Sequence, residues 1–212
     1  VGAKAPTLSM LSYLDPILFP DECEVLEVSH NRYVYPIFKN GSSSLLNSNF
    51  RSLSLSEIEQ LETIEVFIRD PLDRYVSGVQ TFLRFNPEYA REATLKLIHE
   101  YLFLNRHFTL QFHWLVNLAR YTTASITIRP IEELSTATDL TWHQLSRDQR
   151  LINEFSANVK LHYYLQLDKV LRHDLLGKTV TFKEILAHIQ TFYPDLYNDI
   201  IQRSKNLCAV LG

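Results

Sequence analysis

The sequence predicts an α/β domain, with a small, largely parallel central sheet in the upstream half and a mostly helical downstream half. Three observations predict it. Short β-branched and aromatic runs at Tyr33–Phe38, Glu65–Arg69 and Ala124–Ile128 alternate with stretches of helical periodicity, the order that sets parallel strands beside crossover helices. Beyond the last of these runs the pattern is helical almost throughout. The composition, 46% hydrophobic and 21% charged with five Gly and eight Pro in 212 residues, is that of a chain able to bury a core without disulfides or a structural metal.

The elements follow in order. Tyr33-Val34-Tyr35-Pro36-Ile37-Phe38 runs directly into Lys39-Asn40-Gly41-Ser42-Ser43-Ser44, after which Leu45, Leu46 and Phe50 recur at helical spacing. That spacing predicts strand, tight loop and helix. Ser56–Glu62 predicts a short helix with an acidic first turn, and Glu65–Arg69 a second strand. At Asp70-Pro71 a helix starts: Asp70 suits the cap, Pro71 the first helical position, and Asp73 the acid of a capping box. Tyr75, Val76, Val79, Phe82 and Leu83 form its apolar stripe, and Pro87 ends it. Further helical patterns cover residues 91–104, 111–120, 142–155, 161–176 and 181–201. No repeat, Ser/Gly linker or charge block divides the chain, so residues 1–212 are expected to form a single domain.

A net charge of −3 argues against a general nucleic-acid coat, so any anion site must be local. Cys23 and Cys208 lie near opposite ends and make no metal-ligand spacing, which points to a reduced compartment and to no metal. No apolar run approaches the ~18 residues of a membrane span, and Val1–Pro20 lacks a basic region followed by an apolar core.

The chemistry concentrates in two places. Around Lys39, Gly41 permits a backbone turn that brings amide N–H groups toward an anion. Ser42, Ser43 and Ser44 add hydroxyls, and Lys39 a compact positive charge. Taken alone, the segment fits equally a Ser-rich turn capping an ordinary helix. The nucleotide-triphosphate loop GxxxxGK[ST] is absent, because here the lysine precedes the glycine. Thirty positions on, Arg69 at a strand end and Ser77 two turns into the next helix can converge on one anion. Asp70 and Asp73 repel an anion on the helix axis, which leaves Arg69 most of the attraction. Arg74 can brace the loop through an acid or simply be solvated, and the bracing role is the preferred reading.

A strand ending in Lys39-x-Gly41-Ser42-Ser43-Ser44, followed by one ending in Arg69-Asp70-Pro71-x-x-Arg74-x-x-Ser77, resembles the sulfotransferases that use 3′-phosphoadenosine 5′-phosphosulfate (PAPS). Arg106-His107-Phe108-Thr109-Leu110-Gln111 and Ile128–Leu134 are similar to segments of the carbohydrate (Golgi-type and bacterial) branch. The likeness runs from about Tyr33 to Leu134. It implies a P-loop-like three-layer domain, with Lys39, Asn40, Gly41, Ser42, Ser43 and Ser44 on the 5′-phosphosulfate and Arg69 and Ser77 on the 3′-phosphate. Asn40 and the all-serine run depart from the commoner Pro-Lys-x-Gly-Thr-Thr form, and no GxxGxxK-like segment follows residue 134, so the adenine contacts are left unassigned.

Sulfuryl transfer asks a protein chiefly to position reactants and stabilise charge on the leaving phosphate. Lys39 is the expected stabiliser, and no metal is required. An acceptor hydroxyl also needs a base, and His107 is the first candidate, against the alternative of a histidine packed on Trp114 or the helix cover. An acid from the helical cover is the other candidate base. His113 falls in an apolar helix and is expected to be a core residue; His99, His143, His162, His173 and His188 have no motif context. The expected partners are a small-molecule or glycan acceptor and no nucleic acid, with no membrane segment within these residues; the expected location is the cytoplasm for a bacterial protein, or the Golgi lumen if a membrane anchor precedes Val1. Two competing readings are a P-loop nucleotide- or phosphate-transferring enzyme, which would want a magnesium site this sequence does not offer, and a catalytically silent sulfotransferase-like binding protein.

Overall fold

A computed structural model of the chain describes residues 23–102, 105–140 and 147–203. Its centre is a six-stranded mixed sheet. The strands are β1 (Leu26–Ser29), β2 (Arg32–Val34), β3 (Arg51–Ser52), β4 (Thr63–Ile68), β5 (Ser125–Pro130) and β6 (Thr179–Val180), in the spatial order β3-β1-β2-β4-β5-β6. Only β2, β4 and β5 run parallel; β1, β3 and β6 pair antiparallel at the flanks. The sheet is therefore mixed, where a largely parallel one was expected. The additional strands are two to four residues long, too short to leave a periodic signal.

β4 is the strand that organises the rest. Ile64, Val66 and Ile68 face the main core and are fully buried, while Phe67 on the other face packs with Leu26, Val34, Leu45, Ile131 and Leu134. Glu65 also ties its neighbours together: it accepts from Arg32 Nε on β2 at 2.7 Å and pairs with Arg129 Nε on β5 at 2.7 Å. The strand expected over 33–38 leaves the sheet early. Tyr35 N–H donates to Glu65 O at 3.0 Å, and Pro36 has no N–H with which to continue the ladder. Residues 36–41 are thereby free to turn across the sheet end.

The helices are α1 (Ser42–Leu46), α2 (Leu55–Ile58), α3 (Pro71–Phe85), α4 (Arg91–Tyr101), α5 (Gln111–Ala119), α6 (Leu134–Thr138), α7 (Gln149–Ser156), α8 (Val159–Lys169), α9 (Phe182–Phe192) and α10 (Pro194–Arg203). α3 begins as the sequence predicts, with Asp70 Oδ1 accepting from Asp73 N–H at 2.9 Å and Pro71 at the first position. The helix expected over 181–201 is two helices, because Pro194 drives Tyr193 out of the helical region (φ −138°). The one expected over 161–176 ends in a π turn at Val170–Asp174. The opening of the 142–155 pattern, the end of the 91–104 pattern, His143 and Cys208 lie outside the described residues. Among those described, no helix is long and apolar enough to cross a membrane.

Candidate functional site

The loop that follows β2 is bent by two residues with positive φ, Lys39 at 69° and Gly41 at 77°. For glycine this is free, but for lysine it is a strained choice that the surroundings must hold in place. Gly41 is needed on a second count: a Cβ there would run into the Leu134 side chain. Three side chains hold the loop. Asn40, 1% exposed, turns inward and donates from Nδ2 to Phe67 O at 2.7 Å and to Gln111 Oε1 at 2.6 Å. Arg74 Nε donates to Phe38 O at 3.0 Å, and Arg69 Nη1 reaches Lys39 O at 3.4 Å. The Asn40 side chain is thus occupied in the core.

The consequence is an outward-facing lysine. Lys39 Nζ donates to Thr81 Oγ1 of α3 at 2.8 Å, and Thr81 Oγ1 donates in turn to Ser77 O at 3.0 Å. Burial, and then repulsion from Arg69, Arg74 and Arg84, hold the Lys39 pKa below the ordinary lysine value. A cavity of about 310 Å³ opens here, lined by Phe38, Lys39, Ser42, Ser43, Leu46, Thr81, Arg84, Phe85 and His107. Among the described residues this lining carries hydroxyls and cations and no carboxylate.

His107 approaches from the segment ahead of α5. Gly78 allows this, since a Cβ on that face of α3 would collide with the His107 carbonyl. Asn105 Oδ1 accepts from His107 N–H at 2.9 Å and lies 2.6 Å from Nδ1. An acceptor at that position makes Nδ1 the protonated nitrogen and leaves the Nε2 lone pair available. Burial, with Arg106, Lys39 and Arg74 adding repulsion, pushes its pKa down to about 4, so the ring is neutral at physiological pH. Phe38 stands at 5.5 Å and Phe85 at 6.5 Å, ring centre to ring centre.

The structure therefore brings Lys39, Ser42, Ser43 and His107 to one cavity. Ser44 is half-buried one step further along α1 and does not line it. Arg69 and Ser77 are 6% and 5% exposed and do not line it; Arg69 Nη1 reaches Lys39 O, and Ser77 O accepts from Thr81 Oγ1. The negative charge beside Arg69 is partly spoken for, because Asp73 pairs with Arg147 at 2.6 Å. Arg74 is 1% exposed and joins the carbonyls of Phe38 and Thr109, a brace made through backbone oxygens and not through an acid. Burial pushes its pKa down to about 10, partly offset by Asp168. Among the other histidines, His113 on α5 is pushed down to about 3 by burial and then by Arg74, and His99 stacks on Phe155 at 4.3 Å.

Several residues of this arrangement were not singled out by sequence. Gln111 joins the two corners. Its Oε1 accepts from Asn40 and from Arg69 N–H at 2.9 Å, while its Nε2 donates to Arg69 O at 3.0 Å, as a neighbouring strand would. Asp168 on α8 accepts from the N–H groups of Gln111 and Phe112 at 2.9 Å each, capping α5 from another helix. Burial raises its pKa, and Arg74 together with these hydrogen bonds pulls the other way. Thr81 had a local signal, being four residues after Ser77 on the same helix face. Asp168 had none, since its partner is 57 positions away. No family model, curated protein or solved structure matches the chain.

Proposed function

We propose that this protein is a PAPS-dependent sulfotransferase acting on a hydroxyl of a carbohydrate or small-metabolite acceptor. The observation that carries the proposal is the single cavity shared by Lys39, Ser42, Ser43 and His107, with no carboxylate among the described residues of its lining. Such a lining suits a polyanion on electrostatic grounds. Lys39 sits under the repulsion of three arginines, and an incoming anion would offset it.

The P-loop-like reading of the architecture rests on the parallel β2, β4 and β5 core and on the loop that leaves β2. α1 has only five residues, so the loop amides and side chains, and not a long helix dipole, would hold the phosphosulfate. When bound, that group would supply the sulfuryl moiety. Lys39 Nζ is the cation placed to stabilise charge on the leaving phosphate, with Ser42 and Ser43 on the nonbridging oxygens. His107 Nε2 would take the acceptor proton, a task for which a neutral ring already held through Nδ1 is suited. Arg69, which reaches the Lys39 carbonyl, and Ser77 are the residues assigned to the 3′-phosphate.

Two measurements test this. Adenosine 3′,5′-bisphosphate should raise the melting temperature in the presence of a chelator, and radiolabelled sulfate should pass from PAPS to members of a glycan and small-alcohol panel. Stabilisation that appears only with ATP and magnesium would replace this reading with a phosphate-transferring one.

A further inference from the structure

Arg84 and Phe85, at the last turn of α3, line the cavity and have no part in the chemistry above. Phe85 is 70% exposed. Arg84 is exposed, and no hydrogen bond or ion pair engages its side chain among the described residues. Its charge nevertheless reaches Lys39, whose pKa it helps to lower.

α3 acts as a ruler along the site. Thr81, which holds Lys39 Nζ, lies four residues after Ser77, about 6 Å along the axis, and Arg84 lies about 4.5 Å further on. Residues 77, 81, 84 and 85 share one face. If Ser77 marks the nucleotide side and Lys39 the transferring group, Arg84 and Phe85 stand on the opposite side. An in-line displacement brings the acceptor from there. His107 stands on the same side, with its ring 6.5 Å from that of Phe85.

We infer that Arg84 and Phe85 form the acceptor subsite, and that the acceptor is an anionic hydroxyl compound with a flat apolar face. The inference rests on the sulfotransferase reading for the direction of approach. Arg84 takes a carboxylate or sulfate of the acceptor, Phe85 covers its apolar face, and the reacting hydroxyl meets His107 Nε2. Arg84 is thus a specificity-determining residue.

The test uses the full chain and two matched probes, 4-nitrophenyl β-D-glucuronide and the neutral 4-nitrophenyl β-D-glucoside. Calorimetric binding is measured with and without saturating adenosine 3′,5′-bisphosphate. The wild-type protein should bind the glucuronide about tenfold more tightly, as expected for one charge-assisted contact. Arg84→Ala should equalise the two and Arg84→Glu should reverse the order, with stabilisation by the bisphosphate retained in both variants. Equal or absent binding of the two probes to the wild-type protein overturns the inference, as does a preference that survives Arg84→Ala. Loss of bisphosphate stabilisation in Arg84→Ala also overturns it, by moving Arg84 to the donor side. Failure of the bisphosphate to stabilise the wild-type protein removes the sulfotransferase reading instead, and the glucuronide preference measured without the nucleotide still decides whether Arg84 is an anion site.

Discussion

The corner after β2 and the corner after β4 carry similar charge and use it differently. At the first, Lys39, Ser42 and Ser43 face an open cavity, and the backbone holds a lysine at positive φ. At the second, Arg69 and Arg74 are 6% and 1% exposed, and both donate to carbonyls of the first corner. Gln111 stitches the two together. One corner thus opens on a cavity and the other is largely its scaffold, which shows why a motif of two arginines does not translate directly into two anion contacts.

The sharpest way to break that contrast is Arg74→Ala. It strands the carbonyls of Phe38 and Thr109 and leaves Asp168 without its nearest compensating cation, so a loss of about 3–5 kcal/mol of stability is expected. Urea unfolding measures it, and a midpoint close to wild type would show that the second corner is not a brace. Lys39→Ala should do the opposite. The fold is expected to persist while sulfuryl transfer falls by about 10²–10³-fold, as for other removed transition-state donors. Unchanged turnover in an assay with radiolabelled PAPS would strip Lys39 of its role.

Arg69→Ala probes whether the scaffold corner also binds. Affinity for adenosine 3′,5′-bisphosphate should weaken about ten- to a hundredfold by calorimetry, the value of a charge-assisted hydrogen bond. An unaltered affinity would make Arg69 scaffold only. His107 supplies a pH signature. Its folded pKa of about 4 lies below the ordinary 6.5, so the unfolded chain binds more protons between these values. The contribution to stability is complete above about pH 6.5 and declines as pH falls toward 4. His107→Gln should shallow that acid slope in thermal melts, and it should also remove the acid limb of the wild-type kcat/KM profile, which is expected to stay flat above about pH 5. The smallest effect expected is for Thr81→Val, which removes one hydroxyl from Lys39 at a cost of about 1 kcal/mol in transfer rate.

What could be read along the chain was local. Asp70 and Pro71 announce the start of α3 because capping involves residues within one turn, and Gly41 announces the bend because only its own φ is at issue. The β4 and β5 strands were legible from a run of β-branched residues, but the antiparallel flanks were not, since a two-residue strand exists only through its partner.

The sequence by itself determined the α/β class, the two charged corners and the candidate residues Lys39 and His107. Only the tertiary structure decided that these two share a cavity, that Arg74 braces through backbone carbonyls, and that Arg84 and Phe85 stand beside them. Asp168 caps α5 from 57 positions away, and Arg74 reaches Phe38 across 36. Hydrogen bonds and burial act through space, and a string of side chains carries no record of distance until the strands pair and the helices pack around them.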